Sequence, residues 1–107
     1  MKIIQIIGRS NSGKTTFITN LAPALSAHGT VGVIKHLGHH GFALEPEKDT
    51  TLFYESHAAI SGGVDYEKSV IIRRDGDLDS ALETLCNAGV DYAILEGFKS
   101  RPFPRVA

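Results

Sequence analysis

Residues 8 to 15 read Gly8-Arg9-Ser10-Asn11-Ser12-Gly13-Lys14-Thr15, a full match to the pattern G-x-x-x-x-G-K-[ST]. Each part of this pattern has a physical task. Glycines let the backbone curl until successive N–H groups point inward at phosphate oxygens. A helix that begins near Lys14 adds the positive end of its dipole at the same place. Lys14 would reach the β- and γ-phosphates, and the Thr15 hydroxyl would ligate Mg²⁺. Thr16 is positioned to bond a phosphate oxygen nearer the base. Gly8, Asn11, Ser12, Gly13, Lys14, Thr15 and Thr16 are therefore the expected nucleotide-binding residues. A glycine-rich turn arising by chance is the competing explanation, and the flanking sequence argues against it.

A second set of reactive residues lies far downstream. Ile94-Leu95-Glu96-Gly97 places a carboxylate at the end of an apolar run, where ligands sit in open parallel sheets. Glu96 could hold Mg²⁺ through water or orient an attacking water, and Gly97 permits close approach to a γ-phosphate. Glu96 and Lys14 are thus the catalytic candidates, with a solvated acid at a strand end as the alternative for Glu96. Lys35-His36-Leu37-Gly38-His39-His40-Gly41 gathers three of the five histidines beside a lysine. This loop reads as a nucleotide or substrate loop, as a transition-metal site, or as solvated polar chain. Asp49 could be a further Mg²⁺ acid or a first-turn helix carboxylate. Lys99 and Arg101 lie just past Gly97 and could touch phosphates, whereas Arg73-Arg74 reads as a solvated strand end. Tyr54, Tyr66 and Phe98 read as packing residues.

These residues need elements to position them. Ile3, Ile4, Ile6 and Ile7 form a short β-branched run ending at Gly8, as expected for a parallel strand buried on both faces. From Thr15 to Ala27, Phe17, Ile18, Leu21, Ala24 and Leu25 trace one helical face, with Pro23 inside it and Gly29 as a stop. Thr30 to Lys35 reads as a second strand and Leu37 to Pro46 as a loop. Glu47 to Ile60 reads as a helix, with Leu52, Phe53, Ala59 and Ile60 inward and Gly62-Gly63 breaking it. Lys68 to Arg73 is an expected strand. Asp77 would cap a helix with Leu78, Ala81, Leu82, Leu85 and Cys86 on its apolar face. Tyr92 to Leu95 is a last buried strand, followed by a proline-broken tail. Strands alternating with helices predict an α/β fold with a largely parallel sheet, in one domain over residues 1–107.

Composition narrows the function classes. The chain has 107 residues, 42% hydrophobic and 21% charged, enough for a core and against disorder. Eleven Lys and Arg against twelve Asp and Glu, a net charge of -1, remove the electrostatic case for nucleic acid or an anionic membrane. No apolar stretch approaches the roughly 20 residues of a membrane span. One cysteine, Cys86, points away from an oxidising compartment. A cytoplasmic location is expected.

With these pieces placed, the sequence resembles the MobB family of molybdopterin-guanine dinucleotide biosynthesis adaptor proteins. The resemblance is carried by Gly8–Thr16 after the first strand, Val33-Ile34-Lys35-His36 with His39-His40, Lys48-Asp49-Thr50, and Ile94-Leu95-Glu96-Gly97-Phe98-Lys99, and it covers nearly the whole chain. It implies the three-layer fold of P-loop NTPases and a GTP-binding protein of the SIMIBI type, the class of dimerising GTPases that includes metallochaperones. It further implies GTP and Mg²⁺ as ligands, weak GTPase activity, a homodimer, and partnership with the guanylyltransferase that attaches GMP to molybdopterin. By position, Gly13, Lys14, Thr15 and Thr16 would bind phosphates and Mg²⁺. Lys35 and His36 would line the nucleotide or partner cleft, and Glu96 would occupy the second phosphate-sensing motif. Two departures stand out. Family members tend to carry an acidic pair where this chain has Gly41-Phe42-Ala43-Leu44, and the family is usually longer, so the fold is expected to be short at its C-terminus, with Arg105-Val106-Ala107 part-way into a strand. No Asn-Lys-x-Asp guanine-recognition motif is present, so GTP enters through the resemblance.

Two other functions compete. A nickel- or zinc-delivery GTPase is suggested by His36, His39 and His40. A small-molecule P-loop kinase would need a charge-rich lid, and here Arg9, Arg73, Arg74, Arg101 and Arg105 are scattered.

Overall fold

The computed structural model describes residues 1–8, 13–38, 41 and 44–106. The chain divides into two compact units, one of residues 1–38 with 78–107 and one of residues 39–77. Among the described residues no helix is long and apolar enough to cross a membrane.

The first unit is built on β1 (Lys2–Ile6), α1 (Lys14–Ser26), β2 (Val31–Lys35), α3 (Leu78–Asn87), β5 (Tyr92–Glu96) and β6 (Arg105–Val106). Its four strands are parallel and ordered β2-β5-β1-β6. The strand that comes late in sequence therefore stands between the two that come first. Period-two alternation sorts its side chains onto two faces. Ile4, Ile6 and Ile94 meet Ile18, Leu21 and Leu25 of α1. Ile3, Ile34, Ala93 and Leu95 meet Leu78, Leu82 and Leu85 of α3. Helix, sheet and helix make the three layers, and Ala93, Ile94 and Leu95 are fully buried between them. Gly32 has a packing reason, because a Cβ there would stand 2.9 Å from a Leu85 methyl.

Several boundaries and faces differ from the sequence expectation. Helix α1 runs through Pro23 without interruption, and Phe17, expected inside, is exposed. Cys86 is also exposed rather than on the packed face of α3. The proline-broken tail returns to the sheet as β6, whose Arg105 lies opposite Gln5. Arg101 fastens the tail to α3 through a 2.6 Å contact with Asp79.

The second unit holds α2 (Asp49–Glu55), β3 (Ile60–Val64) and β4 (Ser69–Arg73). Here the sequence reading needs correction. The helix expected to reach Ile60 ends at Glu55, and Gly62-Gly63, taken as a helix breaker, lies inside β3. β3 pairs antiparallel with β4 in a separate two-stranded sheet, outside the parallel one. Gly62 faces Ile71, and a Cβ there would come within 2.5 Å of the Val70 carbonyl, so a close cross-strand approach explains the glycine. Leu52, Phe53 and Ile60, expected as core contacts, are exposed, while Thr51 is buried. Arg74 is exposed just past the strand end and is also engaged: its guanidinium lies 4.0 Å over the Tyr54 ring and donates to the Tyr54 and Ala58 carbonyls. Tyr66, expected to pack, is 95% exposed at the hairpin turn.

Candidate functional site

In a parallel sheet the carboxyl ends of all strands share one edge, and here that edge collects the expected chemistry. Ile6, Lys35 and Glu96 are direct neighbours across β1, β5 and β2. Glu96 is two residues beyond Ile94, so its side chain leaves the sheet on the α1 face, as does that of Lys35. The Lys35 ammonium lies 3.9 Å from Glu96 Oε1. Glu96 is buried and Lys35 exposed, so the lysine offsets a carboxylate that has lost most of its water.

The phosphate-loop residues flank the same edge. Gly8 stands two residues beyond the end of β1, and its carbonyl accepts a 2.9 Å hydrogen bond from Lys14 Nζ. Gly13 is the N-cap of α1, with φ 84°, and nothing lies within 4 Å of where its Cβ would be. Glycine is required there by backbone conformation, not by space. Among the described residues α1 has neither a side-chain cap nor an acid in its first turn. Its leading N–H groups, with Lys14, Thr15 and Thr16, are left for an anionic ligand. Arg9, Ser10, Asn11 and Ser12 lie outside the described residues, and so do His39 and His40.

The segment after β5 is held tightly. Gly97 N–H donates to the Ile6 carbonyl at 2.9 Å, and His36 N–H to the Glu96 carbonyl at 2.9 Å. Gly97 has φ 95°, and a Cβ there would stand 3.0 Å from His36 Cβ. Phe98 follows with φ 58°, an uncommon conformation for a residue with a side chain. Such a residue costs on the order of 1–3 kcal/mol and persists only where its surroundings fix it. Phe98 is fixed by packing on the α3 cluster and by stacking on His36, with ring centroids 4.8 Å apart.

One contributor was missed in the sequence. Gln5, in the interior of β1, is fully buried, and its Nε2 donates to the carbonyls of Gly97 at 2.7 Å and Phe98 at 2.5 Å. The available signal was its place: a lone amide within a run of isoleucines on a strand buried on both faces must find partners.

Gly8, Gly13, Lys14, Thr15, Thr16, Lys35, His36, Glu96 and Gly97 thus share one unit, at or just beyond the strand ends on one edge of its sheet. Asp49 opens α2 in the other unit, exposed on its first turn. Among the described residues, no three His, Cys, Asp or Glu gather as a metal centre. An open cleft of about 300 Å³ lies in the second unit, lined by Gly62, Gly63 and the paired Asp65 and Lys68.

A buried parallel strand, a Gly-x₄-Gly-Lys-Thr loop, a helix and an acid on a neighbouring strand end define the P-loop NTPase class of three-layer α/β folds. Comparison with known proteins carries this to a family. Residues 3–107 match the family model described as molybdopterin guanine dinucleotide synthesis protein B, MobB. A probable molybdopterin-guanine dinucleotide biosynthesis adapter protein from Bacillus subtilis is 37% identical over 97% of this chain and 62% of its own length. The adapter protein of that name from Haemophilus influenzae is 32% identical over 97% of this chain and 61% of its own. The crystal structure of Bacillus subtilis MobB superposes with a TM-score of 0.80 at 30% identity, covering 98% of this chain and 66% of that one. The chain belongs to the MobB family. It spans about three-fifths of the length of these curated relatives.

Proposed function

We propose that this chain forms the nucleotide-binding part of a GTP-binding adaptor in molybdopterin guanine dinucleotide biosynthesis. The observation that carries the reading is the uncapped start of α1 after Gly13, with Lys14 at hand, on a sheet whose strand ends hold Glu96 and Lys35. The adapter proteins it resembles supply the biosynthetic setting.

Lys14 would leave the Gly8 carbonyl for the β- and γ-phosphates, a stronger, charge-assisted partner. The α1 N–H groups would hold the phosphates, and Lys35 and His36 would line the cleft beside them. Thr15 and Glu96 offer hard oxygen donors of the kind Mg²⁺ takes. Mg²⁺ would neutralise charge on the phosphate oxygens. Glu96 would orient an attacking water or hold the ion through water. Weak GTPase activity, as the family resemblance implies, suits a protein whose output is partner engagement. The partner is the guanylyltransferase that joins GMP to molybdopterin, and the working form is a homodimer in the cytoplasm. Exposed Val64, Tyr66, Val70 and Ile71 support a self-association surface.

Calorimetric titration with GTP and then ATP, in Mg²⁺, tests the reading. GTP preference is expected, with affinity falling roughly 100-fold in Lys14→Ala, the scale of about two charge-assisted hydrogen bonds. Tight binding retained in that variant would overturn the phosphate-loop assignment, and ATP preference would favour the kinase reading. Glu96→Gln should bind GTP nearly as the parent does while losing Mg²⁺-dependent hydrolysis.

A further inference from the structure

Gln5 does something that strand packing alone does not require. Its neighbours Ile4 and Ile6 join the α1 cluster and Ile3 joins the α3 cluster, so the amide leaves the sheet on the α3 face. There Nε2 reaches two consecutive carbonyls, those of Gly97 and Phe98. Its Oε1 is buried and has no partner among the described residues. An apolar side chain would avoid that unsatisfied oxygen; the amide is useful only for its two donor contacts.

Those contacts fix more than two carbonyls. A trans peptide is planar, with its N–H opposite its C=O, and the described residues contain no cis bond. Holding the Gly97 and Phe98 carbonyls on the Gln5 amide therefore turns the N–H groups of Phe98 and Lys99 away from that amide. Gly97 N–H is bonded to the Ile6 carbonyl, so this turn lies at the strand-end edge that Gly8 and the start of α1 flank. Among the described residues neither N–H has an acceptor. Phe98 and Lys99 are thus successive donors in a turn that begins with two residues at positive φ, and turn amides of this kind can take an oxyanion.

We propose that Gln5 is a positioning residue of the nucleotide site, holding the Phe98 and Lys99 amides as donors to the terminal phosphate of a nucleoside triphosphate. This rests on the nucleotide reading above. It also ties the two segments that touch phosphate to one side chain, because Gln5 lies three residues before Gly8.

Amide hydrogen exchange on the whole chain tests it, without nucleotide, with GDP, and with a non-hydrolysable GTP analogue. Phe98 and Lys99 should gain protection with the triphosphate beyond that given by GDP. Gln5→Met, close in volume but with no donor, should lose protection across residues 97–101 even without nucleotide. Its GDP affinity should stay within about twofold, while its preference for the triphosphate analogue falls roughly tenfold, the scale of a lost charge-assisted contact. If Gln5→Met does not fold, Gln5→Asn, whose amide stops one methylene short, is read in the same way. A triphosphate that adds no protection at Phe98 and Lys99, or a variant with an unchanged preference, would overturn the proposal. If the unaltered chain binds neither nucleotide, the nucleotide reading falls and takes the oxyanion role with it. Lost protection in nucleotide-free Gln5→Met would then still identify Gln5 as the clamp on this turn.

Discussion

The parallel sheet and the β3–β4 hairpin are made of the same kinds of residue and treat them in opposite ways. Ile6 and Ile94 are buried under α1, while Ile71, Val64 and Val70 stand more than half exposed. The difference lies in cover. The parallel sheet has a helix of 13 residues on one face and one of 10 on the other, whereas the hairpin unit has the seven residues of α2. A two-stranded sheet is marginal by itself, and this one is tied down by polar details such as Ser61 Oγ donating to the Thr50 carbonyl at 2.7 Å. β-branched composition therefore marks a strand without telling whether it is buried. The unit with a helix on each face of its sheet holds the candidate site, and the sparsely covered unit offers apolar surface.

That contrast can be broken most sharply at Leu95. Truncation to Ala removes a fully buried side chain at the centre of the α3 face and should cost about 2–5 kcal/mol. Urea unfolding should show it, and a loss below about 1 kcal/mol would mean that the layers are not the main store of stability. Gly97→Ala comes next. It combines a strained φ with a Cβ pressed to 3.0 Å of His36, so a loss of about 1–3 kcal/mol is expected in the same measurement. Val64→Ser in the hairpin should change the stability of the isolated chain by less than about 0.5 kcal/mol. If the exposed face is the self-association surface, sedimentation should show the dimer weakened by this change; an unaltered dimer would place the interface elsewhere.

The smallest effect concerns acid. The Asp65 carboxylate accepts the N–H groups of Glu67 and Lys68, and pairs with the Lys68 ammonium at 3.0 Å. These bonds, the one from Glu67 foremost, hold its pKa below the ordinary carboxylate value. A pKa lower in the folded than in the unfolded chain means that the stabilisation is present above the unfolded value. It is lost as pH falls through the folded one. NMR titration should place the Asp65 midpoint below that of an unperturbed aspartate. Hairpin amide protection should fall over that acid range, and Asp65→Ala should remove this part of the pH dependence.

The sequence was most legible where burial on both faces imposed near-continuous apolar runs, as in Ile3–Ile7, broken only by Gln5, and Tyr92–Leu95. It was least legible from Glu47 to Val64. A short apolar stretch there fits a helix or a strand equally, and Gly62-Gly63 looked like punctuation because a glycine's cross-strand neighbour is invisible in one dimension. The hairpin did leave a trace in Asp65, whose type favours a turn and whose N–H bonds the Lys68 carbonyl. At the candidate site, strict spacing singled out Gly8, Gly13, Lys14, Thr15, Glu96 and Gly97, which lie at one edge of the parallel sheet. Gln5 was not singled out, because its partners lie more than ninety positions away.

The strand order has a consequence for synthesis. β1 and β2 do not touch each other as strands; each pairs with β5. While the first ninety residues emerge from a ribosome, the phosphate-loop strand has no sheet to join, and pairings this distant in sequence form slowly. The β3–β4 hairpin, whose contacts are local, can close earlier. The nascent chain would thus expose the Ile3–Ile7 run until residue 96 is available, a window in which holdase chaperones find their natural target.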